Sequence, residues 1–240
     1  LASANVYAIR EEAPGTIWIG TQGGGLARLR DGDVRVWQRP DGVPYLVYDI
    51  LPDRRSGLWV GGGMLARSER RDTPSFVPGY TARLGITEPI SELRALYEDR
   101  AGCLWLGSAA VLYRSCDGRL DRFTTADGLP SNTVVGFLEA RDGTLWMATS
   151  GGGLAAFRPD RSGTGADRFD AVTTADGLSS DNVRALYEDA GGTLWVGTED
   201  GGLNRIVLRD DGMAAPARIT VYRRADGLFD DGIHVILEDD

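Results

Sequence analysis

The stretch that decides the fold opens with Asn182-Val-Arg-Ala-Leu-Tyr-Glu-Asp189, turns at Ala190-Gly-Gly192 and continues as Thr193-Leu-Trp-Val-Gly-Thr198. A second glycine turn at Gly201-Gly202 leads into Leu203 to Leu208. After a longer loop comes Ile219-Thr-Val-Tyr222. Four short runs rich in β-formers, separated by tight glycine turns, predict four antiparallel strands. The phrase Ala225-Asp-Gly-Leu228 then leads into another copy.

The same phrase recurs around five tryptophans, Trp18, Trp59, Trp105, Trp146 and Trp195, spaced by 41, 46, 41 and 49 residues. The copies read Gly15-Thr-Ile-Trp-Ile-Gly-Thr21, Gly57-Leu-Trp-Val-Gly61, Gly102-Cys-Leu-Trp-Leu-Gly107, Gly143-Thr-Leu-Trp-Met-Ala-Thr149 and Gly192-Thr-Leu-Trp-Val-Gly-Thr198. A repeat of about 40–50 residues holding four short strands predicts an all-β fold, a β-propeller of four-stranded antiparallel blades. Blades pack on both faces, so polar/apolar alternation should blur. It does, at Val135-Gly-Phe-Leu138 and Leu145-Trp-Met-Ala148. The reading is one repeat array over 1–240. Complete blades fall at about 5–38, 46–80, 92–125, 133–173 and 182–222, and the first strand of a sixth at 232–240. A ring cut there leaves two apolar blade faces bare, so the chain is expected to be a segment of something larger.

The 240 residues carry 35 acids against 26 basic residues, all of them arginine, for a net charge of −9. Such a surface repels phosphate backbones, and nucleic acid is not expected as a partner. No apolar run is long enough to span a bilayer, so no membrane insertion is expected within this stretch. Val6-Tyr-Ala-Ile9 already reads as a strand, and no signal peptide is visible.

The phrases Asp127-Gly-Leu-Pro-Ser-Asn132, Asp176-Gly-Leu-Ser-Ser-Asp-Asn182, Tyr187-Glu-Asp189, Gly192-Thr-Leu-Trp-Val-Gly-Thr198 and Gly201-Gly-Leu-Asn-Arg205 resemble the two-component regulator propeller repeat. The resemblance implies an extracytoplasmic, periplasmic sensor region of a bacterial hybrid histidine kinase or related transducer. It also implies a seven-bladed ring and a carbohydrate or other small extracellular ligand. Two copies depart from the pattern: the second has Gly61-Gly-Gly-Met64, and the third has Leu84-Gly-Ile86 in place of Asp-Gly-Leu. WD40 and kelch signatures are absent, and a likeness to the Asp-box turn (Asp189-x-x-Gly192-x-x-Trp195) is one residue too long.

The repeating Glu98-Asp99, Glu188-Asp189 and Glu238-Asp239 pairs sit just before a glycine turn, where Asp caps backbone N–H groups. A catalytic dyad would occur once. Glycine runs at Gly23-Gly-Gly25, Gly151-Gly-Gly153 and Gly201-Gly202 join strand to strand, so they read as turns rather than a phosphate cradle. His234 is the only histidine, which argues against a Ser-His-Asp triad or a zinc site. No catalytic residue, metal or cofactor is therefore expected, and the chain reads as a recognition module rather than an enzyme. The rival readings are a propeller lyase or glycoside hydrolase, and a structural interaction scaffold.

In the third copy, centring the hairpin on Ala109-Ala110 sets residues whose numbers sum to 219 opposite one another. Cys103 then faces Cys116 and Trp105 faces Arg114, so a disulfide is expected. One column varies while its neighbours stay apolar: Tyr7, Tyr48, Arg94, Val135, Arg184 and His234. Tyrosine stacks on rings and arginine pairs with carboxylates, so Tyr7, Tyr48, Arg94, Arg184 and His234 are the expected ligand contacts. Insertions at 159–167 and 209–218 are further candidates. The expected partners are a small molecule or carbohydrate, a downstream signalling domain, and a second copy of the chain.

Overall fold

The computed structural model describes residues 3–90, 92–159, 167–208 and 216–239; most of both insertions lies outside them. The chain is built of antiparallel sheets whose strands follow one another in sequence order, as β-propeller blades do. The first sheet comprises β1 (Val6–Ala13), β2 (Thr16–Thr21), β3 (Gly25–Arg30) and β4 (Asp33–Trp37). The second has β5 (Val47–Pro52), β6 (Leu58–Gly62) and β7 (Leu65–Ser68). The third has β8 (Ala95–Glu98), β9 (Leu104–Gly107), β10 (Leu112–Cys116) and β11 (Arg119–Phe123). The fourth has β12 (Val134–Glu139), β13 (Leu145–Thr149), β14 (Leu154–Arg158) and β15 (Arg168–Val172). The fifth has β16 (Val183–Glu188), β17 (Leu194–Thr198), β18 (Leu203–Leu208) and β19 (Pro216–Tyr222). The chain forms two compact units, 1–109 with 113–121, and 110–112 with 122–240. Only short three-ten turns join the sheets, and no described helix is long and apolar enough to cross a membrane.

Two places differ from the repeat. The second sheet has three strands, and where its fourth would lie only Arg67 and Val77 exchange a pair of backbone hydrogen bonds. Pro74 and Pro78 flank that point and supply no backbone N–H, so the ladder stops there. The segment 232–239 is not a strand, and among the described residues no sheet includes it. Even so, the Ile233 amide donates to the Thr198 carbonyl at 2.8 Å, as the Leu93 amide does to Gly62 at 2.8 Å.

The recurring phrases have physical causes. Thr21, Thr149 and Thr198 donate their hydroxyls to the carbonyls of Gly25, Gly153 and Gly202, at 3.0, 2.7 and 2.9 Å, closing the hairpin after the tryptophan strand. The glycine turns are filled from the next blade: Gly23 donates to the Tyr45 carbonyl, Gly151 and Gly153 to that of Asp181, and Gly202 to that of Asp231. In the Asp-Gly-Leu phrase, Thr124 and Thr173 form boxes with Asp127 and Asp176. Asn132, Asp181 and Asp231 accept the amides of Thr125, Thr174 and Arg224 at 2.8 Å.

Tryptophan sits at the centre of each blade, with Trp18, Trp105 and Trp146 fully buried. Burial of a side chain that large is worth about 2–3 kcal/mol or more. Its indole N–H needs an acceptor, which an acid six residues earlier supplies: Glu12 for Trp18 at 2.7 Å, Asp99 for Trp105 and Asp189 for Trp195 at 2.8 Å. The guanidinium of an arginine on the following strand lies over the ring in four blades: Arg28, Arg67, Arg114 and Arg205 sit 5.4, 4.6, 5.5 and 5.9 Å from Trp18, Trp59, Trp105 and Trp195. The fourth blade has Ala140 and Ala156 at both places, and the Trp146 indole nitrogen is buried without a partner.

In the second blade Asp53 accepts from the Arg55 and Gly57 amides at 2.8 and 2.7 Å and from the Arg67 guanidinium at 2.9 Å. Burial alone would raise its pKa, but Arg67 and the two amides outweigh this and hold the carboxyl below its ordinary 3.8. Replacing Asp53 by Ala is expected to cost about 2–4 kcal/mol in urea unfolding, by stranding a half-buried arginine and two amides. Because the folded pKa is the lower one, this contribution is present above pH 3.8 and is lost as pH falls through the folded value. The wild-type and Asp53→Ala stabilities should therefore converge in acid, and a constant gap down to low pH would refute the assignment.

Candidate functional site

The first strands of successive blades lie side by side within each unit, and their opening residues carry the variable column. In the first unit this brings Tyr7, Tyr48 and Arg94 together. The rings of Tyr7 and Tyr48 are 5.2 Å apart, and the Arg94 guanidinium lies 5.9 Å from the Tyr48 ring. Arg94 in turn holds Glu92, its Nε and Nη2 both donating to Oε2 at 3.2 and 2.6 Å. Glu92 has φ of 53°, in the left-handed region that costs a side chain strain. Tyr7 is 48% exposed, and the Arg94 and Glu92 side chains are 36% and 42% exposed. Partial burial, followed by the nearby Glu92 and Tyr7, pushes the Tyr48 phenol above its ordinary pKa, while Arg94 pulls the other way.

The other column members do not join this group by any contact described. Val135 packs against the hydrophobic core of the second unit. Arg184 is tied to Glu199 at 2.8 Å. His234 is exposed on the segment after the fifth blade. Cys103 and Cys116 are joined by a disulfide with Cα atoms 4.5 Å apart. The acids of the Glu-Asp pairs serve the scaffold: Asp99 and Asp189 cap turn amides and hold indoles. Glu98 and Glu188 accept the backbone amides of Arg54 and Arg141 in the preceding blade's turn, at 3.0 and 2.8 Å. Among the described residues no three His, Cys, Asp or Glu side chains converge as metal ligands.

Two residues beside the cluster escaped the sequence reading. Glu92 precedes the column position, and Asp49 follows it. Asp49 is buried and joins three first strands: it accepts the Ile50 and Leu96 amides at 2.8 Å each, and the Arg10 guanidinium at 3.3 Å. Burial pushes its carboxyl above the ordinary 3.8, against the pull of Arg10 and the two amides. The signal was present, because the other copies have Ala8, Ala95, Gly136, Ala185 and Val235 there. A lone acid in a column of small or apolar residues marks a unique contact.

A family profile described as two component regulator propeller matches residues 128–151 and 177–200. Two stretches of the chain, one in the fourth repeat and one in the fifth, are thus similar to that repeat. Among solved structures, the extracellular domain of a proposed hybrid two component system from B. thetaiotaomicron matches the chain with TM-score 0.75 at 22% identity, covering 95% of this chain and 29% of that one. A second such domain from the same organism matches with TM-score 0.60 at 17% identity, covering 100% and 36%. Catalytically inactive virginiamycin B lyase from Staphylococcus aureus, solved with quinupristin, matches with TM-score 0.66 at 16% identity, covering 92% and 72%. The propeller array thus spans about a third of the length of the two-component domains it matches. At these identities the likeness establishes the fold. No curated protein matches the chain.

The lyase corrects one expectation. The sequence reading set catalysis aside for this chain, yet a lyase shares the fold over 92% of this chain. The fold and the lack of a familiar triad therefore do not exclude an enzyme.

Asp49→Ala is expected to cost about 2–4 kcal/mol, since two buried amides lose their acceptor. It should also accelerate amide exchange at Ile50 and Leu96, while the fourth and fifth blades keep their protection. Unchanged protection at Leu96 would show that Asp49 does not tie the strands.

Proposed function

We propose that the chain is the recognition part of an extracytoplasmic bacterial signal-transduction protein. It takes a small extracellular ligand at the Tyr7–Tyr48–Arg94 surface and biases a downstream signalling domain. The observation that carries this reading is the match of two repeats to the two-component regulator propeller profile. The similar structures described as extracellular domains of hybrid two component systems support it. The disulfide fits an oxidising compartment.

The geometry offers a route for the signal. Tyr7, Tyr48 and Arg94 stand on or beside the first strands of three successive blades. A ligand that touches all three binds best at one spacing of those strands. Its differential affinity is the free energy available to shift the output.

Epitope-tagged protein in the encoding bacterium is expected to be digested by protease added to spheroplasts. In material isolated without reductant, Cys103 and Cys116 should resist alkylation. Full protection from protease together with two alkylated thiols would place the chain in the cytoplasm and overturn the proposal.

A further inference from the structure

Resting on that reading of the Tyr7–Tyr48–Arg94 surface, we infer that its ligand is a zwitterion, a free α-amino acid. The groups on the surface are of both charges and have bonding capacity left over. Arg94 directs Nε and Nη2 at a single oxygen of Glu92, so its Nη1 and the second carboxylate oxygen of Glu92 remain open. Among the described residues neither the Tyr7 nor the Tyr48 phenol oxygen has a hydrogen-bond partner. A guanidinium edge, a carboxylate oxygen and two phenols thus have bonding capacity to spare, on side chains that are partly or well exposed.

Each simpler ligand leaves part of this set unmatched. A pure anion would meet Arg94 but be repelled by Glu92 and by a chain of net charge −9. A pure cation would meet Glu92 and the ring faces but be repelled by Arg94. A neutral sugar would use the rings and leave both ionic groups without a charged partner. An α-amino acid carries ammonium and carboxylate on one carbon, which suits acceptor and donor groups already in contact at 2.6 Å. Its carboxylate would meet Arg94, its ammonium Glu92 and the face of Tyr7, and an apolar side chain the exposed ring of Tyr7.

The test titrates the 240-residue chain calorimetrically with L-phenylalanine, phenylalaninamide, N-acetyl-phenylalanine, galacturonate and maltose. Phenylalanine is expected to bind, with each blocked derivative and both sugars at least tenfold weaker. Arg94→Gln and Glu92→Gln should each weaken phenylalanine at least tenfold with unchanged melting temperature, and Tyr48→Phe should weaken it less. N-acetyl-phenylalanine binding as well as the free amino acid would overturn the inference. Maltose or galacturonate binding that is lost in Tyr48→Ala would also overturn it, while leaving the surface as the ligand site. If no probe binds, the inference falls, and the fractionation experiment decides the sensor reading separately.

Discussion

The closeness with which one blade can approach the next governs this structure. A Cβ added at Gly20 would lie 2.5 Å from Cγ1 of Val47, and one added at Gly197 would lie 2.7 Å from Cγ2 of Ile233. Those glycines stand two residues after the tryptophan, where the following blade's opening residue rests. In the fourth blade the place is held by Ala148, packed in one core cluster with Val183. A sheet with apolar side chains on both faces can bury them only if its neighbour comes this near. The first strands then lie side by side within each unit, and in the first unit Tyr7, Tyr48 and Arg94 share one surface.

Much of the fold was legible because every copy must solve the same packing problem. Trp18, Trp59, Trp105, Trp146 and Trp195 revealed the period, and glycine and threonine around them revealed the hairpin. The second blade was less legible. Its tryptophan strand follows the pattern, but Pro74 and Pro78 end the ladder in a region that had read as a complete blade. Proline there was the available signal, since it withdraws an N–H that an outer strand needs. The segment after Gly232 carries the apolar pattern of a strand, yet strand geometry comes from pairing, and pattern alone does not provide it.

The site was legible only in part. The column pointed to Tyr7, Tyr48 and Arg94, which meet within the first unit, and equally to Arg184, which pairs with Glu199 in the second, and to His234, which is exposed there. A column records which positions tolerate variation, not which side chains meet. Glu92 and Asp49 were invisible to it because they flank the column. The repeat pattern marks Asp49 as a lone acid among small or apolar residues, but not the Ile50 and Leu96 amides that it holds. The fourth blade makes the same point from inside the core: Ala140 and Ala156 remove the acid and the arginine together, and Trp146 stays buried with its N–H unanswered.

The glycine turns give the array a direction. Each turn's amides are satisfied by a carbonyl that arrives later in the chain, from Tyr45, Asp181 or Asp231. During synthesis, then, the socket in these three blades leaves the ribosome before its plug. A newly emerged blade must wait with bare amides and an open glycine until its successor is translated. In these three blades the turn nearest the ribosome is therefore the one left with unanswered amides.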